Sequence, residues 1–232
     1  MLQSATPTHK PAARRRTYKL LFLALVLLAL ALALSAAASA FIPAGGGSGW
    51  VKQTSGTTVI LRAVDFPNAT HGWAVGDGGT ILATTDGGAS WSKKTSGSDQ
   101  LYGVSFADAT HGWAVGAGGT VLHTEDGGAV WSKDDSGTIK QLTGVAFVQL
   151  ANGEYQGCAV GGFDGTVLTS SGGSWVKRTS GTDRGLFGIV IPTTTPTRSL
   201  GWAVGDRGTI LATADGGGSW TCLLYTSPSP RD

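Results

Sequence analysis

The sequence predicts an all-β protein made of repeated four-stranded units, and three observations support this prediction. A unit of about 40 to 45 residues recurs four times; each copy is marked by Gly-Trp-Ala-Val-Gly or a close variant and closes on a tryptophan. Runs rich in β-branched and aromatic residues alternate with Gly, Asp and Ser, as strands alternate with turns. No segment after residue 40 shows helical periodicity. Such a repeat is typical of a propeller blade, so we predict a β-propeller of four-stranded blades, with about four blades present out of a larger propeller, and a solenoid of hairpins as the weaker alternative.

Each predicted strand has a counterpart in every copy. The first strand begins at a leucine, the second carries the marker motif, the third resembles Thr80 to Thr84, and the fourth starts at the closing tryptophan. Glycines such as those in residues 76–79 separate the second strand from the third, where a tight hairpin needs positive φ. The aligned positions are Leu61, Leu101, Leu142 and Leu186 for the first strand, and Trp73, Trp113, Cys158 and Trp202 for the second.

The turn before each closing tryptophan matches the Asp-box pattern S/T-x-D-x-G-x-S/T-W. Residues 84–91 and 213–220 fit the pattern, residues 124–131 fit except at Val130, and residues 169–175 are one residue short and lack the aspartate. The aspartate can accept hydrogen bonds from N–H groups of its own turn, and the tryptophan can pack between blades. Because a residue repeated once per blade builds the blade, we interpret these positions as structural: Asp86, Asp126, Asp215, Trp91, Trp131, Trp175 and Trp220.

The two ends of the chain differ from the repeats. Residues 1–40 combine a basic segment, an apolar run and a small-residue end, which predicts a signal peptide or, given the length of the run, a retained N-terminal membrane anchor. Residues 41–49 form a Gly-rich linker, and residues 50–221 hold the propeller repeats. Residues 222–232 resemble the translation of a sequencing adaptor, so we expect the natural protein to be longer. The expected location is periplasmic, lumenal or extracellular.

Charge and cysteine content argue against nucleic-acid binding and against a disulfide in the body. Residues 41–221 carry 11 basic and 14 acidic residues, a net charge of −3, so the basic balance of the whole chain comes from the targeting segment. This body has no basic excess for nucleic acid. Cys158 and Cys222 are the only cysteines. We interpret Cys158 as a small buried residue at a tryptophan position and expect no disulfide in the body.

The segment from Phe106 to Trp131 carries a longer motif, F-x-[DN]-A-T-H-G-W-A-V-G followed by G-T-[IV]-L-x-T-x-D-G-G-x-x-W. This motif resembles the photosystem II stability/assembly factor-like repeat family, and the resemblance extends over residues 50–220. It implies an exported seven-bladed propeller that binds newly made photosystem subunits and has no catalytic activity. Relatives with this repeat also occur in bacteria that do not photosynthesise. The arginine-rich patch of the family has no clear match, because the arginines are scattered along the chain: Arg62, Arg178, Arg184, Arg198 and Arg207.

Three functions remain open on the sequence. The first is a non-catalytic module that binds a protein partner, such as a membrane-protein subunit during its assembly. The second is a fragment of a sialidase-like carbohydrate-active enzyme whose catalytic blades are missing, although an Arg-Ile-Pro signature is absent and Glu125 and Glu154 are the only glutamates. The third is a structural cell-surface repeat protein. No cofactor and no metal site are expected, since His71 and His111 occupy one turn position in two copies.

The predicted strand order places the loops before the first strands and the second-to-third hairpins at one end of the blades, and the Asp boxes at the other. The residues in the loops and hairpins at the first end vary between copies, while the strands stay constant. Variable loops on a constant framework are where partner specificity is usually found. The candidate partner-binding face consists of Asp99, Lys140, Asp183, Arg184, Asp206 and Arg207. A second, weaker candidate is the insertion that carries Glu154 and Tyr155.

Overall fold

A computed structural model describes residues 52–94, 97–192 and 200–223, all within one compact unit, Lys52–Asp232. These residues form four separate sheets, each with four antiparallel strands in chain order. The all-β propeller-blade fold predicted from the repeat is therefore confirmed. The predictions for residues 1–40 and 41–49, and for most of the tail, concern parts of the chain outside the described residues.

The blades follow one another along the chain with nearly identical strand lengths. Blade 1 comprises β1 (Leu61–Asp65), β2 (Gly72–Gly76), β3 (Thr80–Thr84) and β4 (Ser92–Lys94); blade 2 comprises β5 (Leu101–Phe106), β6 (Gly112–Gly116), β7 (Val121–Thr124) and β8 (Ser132–Asp134). Blade 3 comprises β9 (Leu142–Gln149), β10 (Tyr155–Gly161), β11 (Thr166–Ser171) and β12 (Ser174–Arg178); blade 4 comprises β13 (Leu186–Val190), β14 (Gly201–Gly205), β15 (Ile210–Thr213) and β16 (Thr221–Cys222). Cys222, the first residue of the expected tail, thus pairs with Leu211 in the last strand.

The blades pack face to face, and the first strands of successive blades lie next to one another. The joint between blades 1 and 2 is centred on Trp73, whose indole stacks on the ring of Phe106 with centroids 3.5 Å apart. The joint between blades 2 and 3 repeats this contact with Trp113 on Phe147, at 3.6 Å. Stacked aromatic pairs of this size bury much apolar surface, so these two contacts contribute strongly to holding the blades together.

The joint between blades 3 and 4 has a different core. Cys158 takes the place of the tryptophan and Ile191 the place of the phenylalanine, so both partners of the stacked pair are smaller here. The closing tryptophan of blade 4, Trp220, compensates for the lost volume, because it is buried in the same cluster as Cys158. Its counterparts in the other three blades remain partly exposed. The prediction that Cys158 is a small buried residue agrees with this packing.

The last glycine of the marker motif allows two chain segments to approach closely. A Cβ on Gly116 would collide with the backbone oxygen of Gln100, the residue before β5. That same oxygen accepts a hydrogen bond from the N–H of Ala117, at 2.9 Å. The equivalent bond joins Asp77 to Ile60 in blade 1. Only glycine permits this contact, which fixes the hairpin after the second strand against the start of the first.

No helix within residues 52–94, 97–192 and 200–223 is long and apolar enough to cross a membrane.

Candidate functional site

The hydrogen bonds between hairpins and first strands establish which loops share an end of the blades. In blade 4 the N–H of Asp206 donates to the oxygen of Gly185, and in blade 3 the N–H of Gly162 donates to that of Gln141. The second-to-third hairpins therefore lie beside the loops before the first strands in all four blades. We call this end the hairpin end. The Asp boxes connect the third strands to the fourth at the opposite end, which we call the Asp-box end.

Each Asp box is closed by its own side chains. In blade 4, Asp215 accepts hydrogen bonds from the N–H and the hydroxyl of Ser219, at 2.9 and 2.7 Å, and from the hydroxyl of Thr213 at 2.8 Å. The bonds from Ser219 are the main reason why the pKa of Asp215 falls to about 2. Asp86 shows the same pattern with Ser90, and its pKa is also lowered to about 2. Asp126 likewise accepts hydrogen bonds from the hydroxyl of Thr124 and the N–H of Val130, so all three aspartates are held within their own turns.

Blade 3 replaces the Asp box with a simple hairpin. Ser171 pairs directly with Ser174, and both residues between them, Gly172 and Gly173, have positive φ. Two such residues form a type I′ turn, which needs no aspartate to hold it. The closing tryptophan Trp175 instead donates its indole N–H to Asp134 of blade 2, at 3.1 Å. The missing residue in this copy therefore shortens the turn without interrupting the strand ladder.

The hairpin end contains a large open groove beside blades 3 and 4, with a volume of about 1120 Å³. Four basic and two acidic side chains line it. The sequence-predicted residues Asp183, Arg184 and Arg207 are brought together here, and they are joined by Lys177, Arg178 and Asp164. Three of the five arginines that are scattered along the sequence therefore share one surface, which the spacing in the sequence does not reveal.

The acidic side chains of the groove are already paired. Asp164 lies 3.3 Å from the ammonium of Lys140 and accepts a hydrogen bond from Thr166 at 2.7 Å, the main reason for its lowered pKa. Asp183 lies 3.3 Å from the guanidinium of Arg184. The basic side chains outnumber these partners, so the groove has a positive potential that favours an anionic ligand.

Arg207 lies in the groove at a position that requires left-handed backbone. Its φ is 53°, and it is the one residue other than glycine with positive φ in the described parts of the chain. The equivalent hairpin positions in blades 1 and 2 are Gly78 and Gly118, with φ of 60° and 61°. A side chain at such a position costs about 1 to 2 kcal/mol relative to glycine. Among the described residues Arg207 forms no salt bridge that offsets this cost.

The remaining candidates for the partner-binding face lie beside the groove or away from it. Lys140 reaches the groove only through its pair with Asp164. Asp206 begins the hairpin that carries Arg207 and lies close to Gly185. Asp99 belongs to blade 2, where it accepts a hydrogen bond from Thr120 at 2.8 Å and lies 3.5 Å from Lys133. Asp99 is therefore not part of the groove.

The insertion in blade 3 lies at the Asp-box end and places Tyr155 against blade 2. The ring of Tyr155 stacks on His111 with centroids 4.4 Å apart, and its hydroxyl donates to Asp108 at 2.7 Å. Burial and the bond to Asp108 raise the pKa of Tyr155 to about 12. No group of three or more His, Cys, Asp or Glu side chains in the described residues could hold a metal ion.

The fold and its turns define the chain as a β-propeller protein built from Asp-box repeats. The sequence profile described as "Photosynthesis system II assembly factor YCF48" matches residues 43–133 and 96–180, which together exceed half of the chain. The chain belongs to this family, as the resemblance of its repeats predicted.

Solved structures share this fold at low identity. YCF48 from Cyanidioschyzon merolae is 22% identical over 75% of this chain and 58% of that protein, with a TM-score of 0.53. An ancestral GH74 enzyme is 18% identical over 78% of this chain and 26% of the enzyme, with a TM-score of 0.61. A structure of YCF48 bound to a D1 peptide is 21% identical over 78% of this chain and 86% of that one, with a TM-score of 0.40. No curated protein matches the chain.

Proposed function

We propose that this protein is an exported, non-catalytic assembly module that binds an acidic segment of a protein partner in the groove at the hairpin end. The observation that carries the proposal is the convergence of Lys177, Arg178, Arg184 and Arg207 on one open groove. Guanidinium groups bind carboxylates in a bidentate way, which suits recognition of acidic side chains or of a chain terminus.

The strained backbone at Arg207 supports the same site. Glycine would fit this turn without strain, as it does in two other blades. An arginine in a conformation that disfavours side chains is expected where the side chain itself has a use. Its exposed guanidinium faces the same groove as that of Arg184.

Family membership supports a protein as the partner. A protein of this family has been solved with a D1 peptide bound to it, and we propose that this chain likewise recognises a protein segment. The proposed partner is a membrane-protein subunit during its assembly. The basic and apolar composition of residues 1–40 supports export, either with cleavage or with retention as an anchor.

Binding of a fluorescein-labelled acidic peptide, followed by fluorescence anisotropy, tests the groove. We expect saturable binding that weakens as salt is raised, because the contact is charge-based. Replacing Arg178 and Arg184 with alanine should abolish it. Lys93→Ala and Lys133→Ala remove charges from the fourth strands of blades 1 and 2 and serve as matched controls that should leave binding unchanged.

Arg207→Gly separates binding from folding. This variant should weaken peptide binding and at the same time raise the free energy of unfolding by about 1 kcal/mol, because the turn loses its strain. A more stable protein with unchanged affinity would exclude Arg207 from the site. Equal binding by the control variants and the arginine variants would exclude the groove as a whole.

A further inference from the structure

Two large apolar side chains are exposed to solvent at the hairpin end of blade 3. Ile139 is 86% exposed and Phe163 is 78% exposed, the highest values among the large apolar side chains of the described residues. Their loops are neighbours, because the N–H of Gly162 donates to the oxygen of Gln141 at 2.7 Å. We call Ile139 and Phe163 the apolar pair.

The geometry of the two loops requires neither side chain. The hydroxyl of Thr138 accepts a hydrogen bond from the N–H two residues further on at 3.1 Å, and Thr182 closes the loop before β13 in the same way at the same distance. In that second loop Asp183 stands where Ile139 stands in the first. Phe163 belongs to a hairpin with four residues between its glycine and its threonine, whereas the other blades have three. The apolar pair is therefore an addition to the repeat, and adjacent exposed apolar groups are typical of contact sites.

The apolar pair borders the basic groove. Asp164, which follows Phe163 in the chain, lines the groove, and its carboxylate lies 3.3 Å from the ammonium of Lys140, which follows Ile139. This ion pair neutralises the two charges that adjoin the apolar pair in the chain. A ligand that lies in the groove and crosses its blade 3 side therefore meets four basic side chains and then two apolar ones.

We propose that Ile139 and Phe163 bind a bulky apolar side chain, such as leucine or phenylalanine, of the same partner segment whose acidic residues bind in the groove. This inference rests on the proposed function, because the groove is the charged half of the site. Exposed charge pairs contribute little affinity by themselves, whereas removal of a large apolar side chain from water contributes more. The partner segment is thus acidic and carries a bulky apolar residue a short distance along its chain.

A protein segment suits this surface better than an anionic membrane does. The basic side chains line a concave groove, whereas a bilayer presents a broad surface. Asp183 also lines the groove, and its side chain is 86% exposed. A carboxylate in that position repels anionic lipid headgroups.

Fluorescence anisotropy of the full chain with two fluorescein-labelled peptides tests the inference. The first peptide is Gly-Phe-Gly-Glu-Asp-Glu-Gly-Phe-Gly, and the second has serine in place of both phenylalanines, so either direction of binding is covered. We expect the phenylalanine peptide to bind about tenfold more tightly, because one large apolar side chain is removed from water. That factor should persist as salt is raised while both peptides bind more weakly, since salt screens charges and not apolar contacts.

The double variant Ile139→Ser, Phe163→Ser removes the apolar pair. It should bind both peptides equally, with the affinity that the original protein has for the serine peptide. Its thermal unfolding should be unchanged, because both side chains are exposed. The matched control is Val59→Ser with Ile60→Ser, which changes two exposed apolar residues in the loop before β1 and should keep the tenfold preference.

The outcomes separate this inference from the proposed function. Equal binding of the two peptides by the original protein would overturn the role of the apolar pair and leave the groove in place. A preference for phenylalanine that survives in the Ile139, Phe163 double variant would overturn it as well. If neither peptide binds, the groove fails and the apolar pair fails with it. Vesicles of phosphatidylcholine and phosphatidylglycerol that bind more strongly than either peptide, and only when the apolar pair is intact, would overturn the choice of a protein segment.

Discussion

Single residues in this protein divide into those that build every blade and those that depart from the repeat. Asp215 accepts three hydrogen bonds from residues of its own turn, and its counterparts are held in the same way, so these aspartates build the turn. Arg207 and Tyr155 are departures, and each replaces a small residue of another copy with a side chain that reaches a neighbouring surface. Function at the residue scale is therefore sought where the repeat is broken.

The lowered pKa values of the Asp-box aspartates predict that the protein loses stability as the pH falls. The pKa of Asp215 is about 2 in the folded protein and near 3.8 in its ordinary state, so the ionised carboxylate stabilises the fold above pH 3.8 and this contribution is lost as the pH falls through 2. Asp215→Ala should lower the free energy of unfolding by about 1 kcal/mol at pH 7, as removal of a helix cap does. Urea unfolding of both proteins between pH 7 and pH 2 measures the difference.

The difference in free energy of unfolding between the original protein and Asp215→Ala should shrink as the pH falls below about 4. Asp183→Ala, which changes a highly exposed aspartate outside any Asp box, is the control and should show no such gap. A gap that stays constant down to pH 2 would mean that Asp215 acts through packing rather than through its charge.

Whole strands and turns show how one repeat tolerates substitution. Cys158 lies 3.5 Å from the oxygen of Gly216, and Trp73 donates to the equivalent oxygen of Gly127 at 3.1 Å. The cysteine thus keeps the polar contact of the tryptophan that it replaces. The space that the indole would fill is taken by Trp220, whose N–H donates to Gly217 at 3.0 Å. The second strand of blade 3 thus keeps its register, and Trp220 of blade 4 supplies the large side chain that Cys158 lacks.

Restoring the tryptophan of the repeat at this joint should therefore destabilise the protein. Cys158→Trp inserts an indole into a space already occupied by Trp220 and by the backbone of Gly217, so we expect a loss of about 1 to 3 kcal/mol in the free energy of unfolding. Cys158→Ala is the control for the loss of the thiol and should have a smaller effect. Thermal and urea unfolding measure both.

Thiol labelling checks the same packing without mutation. Burial raises the pKa of Cys158 to about 12, so it should react with a thiol reagent only after unfolding, whereas the half-buried Cys222 should react in the folded protein. A Cys158 that reacts at the rate of Cys222, or a tryptophan variant as stable as the original, would contradict the packing described here.

At the scale of the whole molecule, the outer faces of blades 1 and 4 repeat the surfaces that are buried inside the joints. Trp202 of blade 4 is 38% exposed whereas the equivalent Trp73 is 2% exposed, and Val64 of blade 1 is 60% exposed whereas Val104 is 8% exposed. Val204 and Phe66 show the same contrast with their counterparts. Apolar faces of this kind bind other apolar surfaces, so association between molecules of this chain is expected.

Charged substitutions on these faces should reduce that association. Val64→Lys and Val204→Lys place a cation on each outer face, where neither side chain is buried. We expect a lower apparent mass by light scattering and weaker binding of a hydrophobic dye, with little change in the circular dichroism of the strands. Ile139→Lys changes an exposed apolar residue in a loop and is the control. An unchanged mass in the double variant would show that these faces do not drive association.

The sequence by itself determined the class of fold, the four blades found in the described residues, the strand order and the family, because each of these depends on a period that repeats along the chain. The sequence also placed the hairpins and Asp boxes at opposite ends, since antiparallel strands in chain order leave no alternative. Tertiary structure alone decided which side chains meet across the joints. Arg178, Arg184 and Arg207 belong to different strands and loops, and only the packing of blade 4 on blade 3 brings them to one groove. Likewise Trp220 fills the space that is left where Cys158 stands in place of a tryptophan. This packing involves side chains of two blades, so no single repeat encodes it.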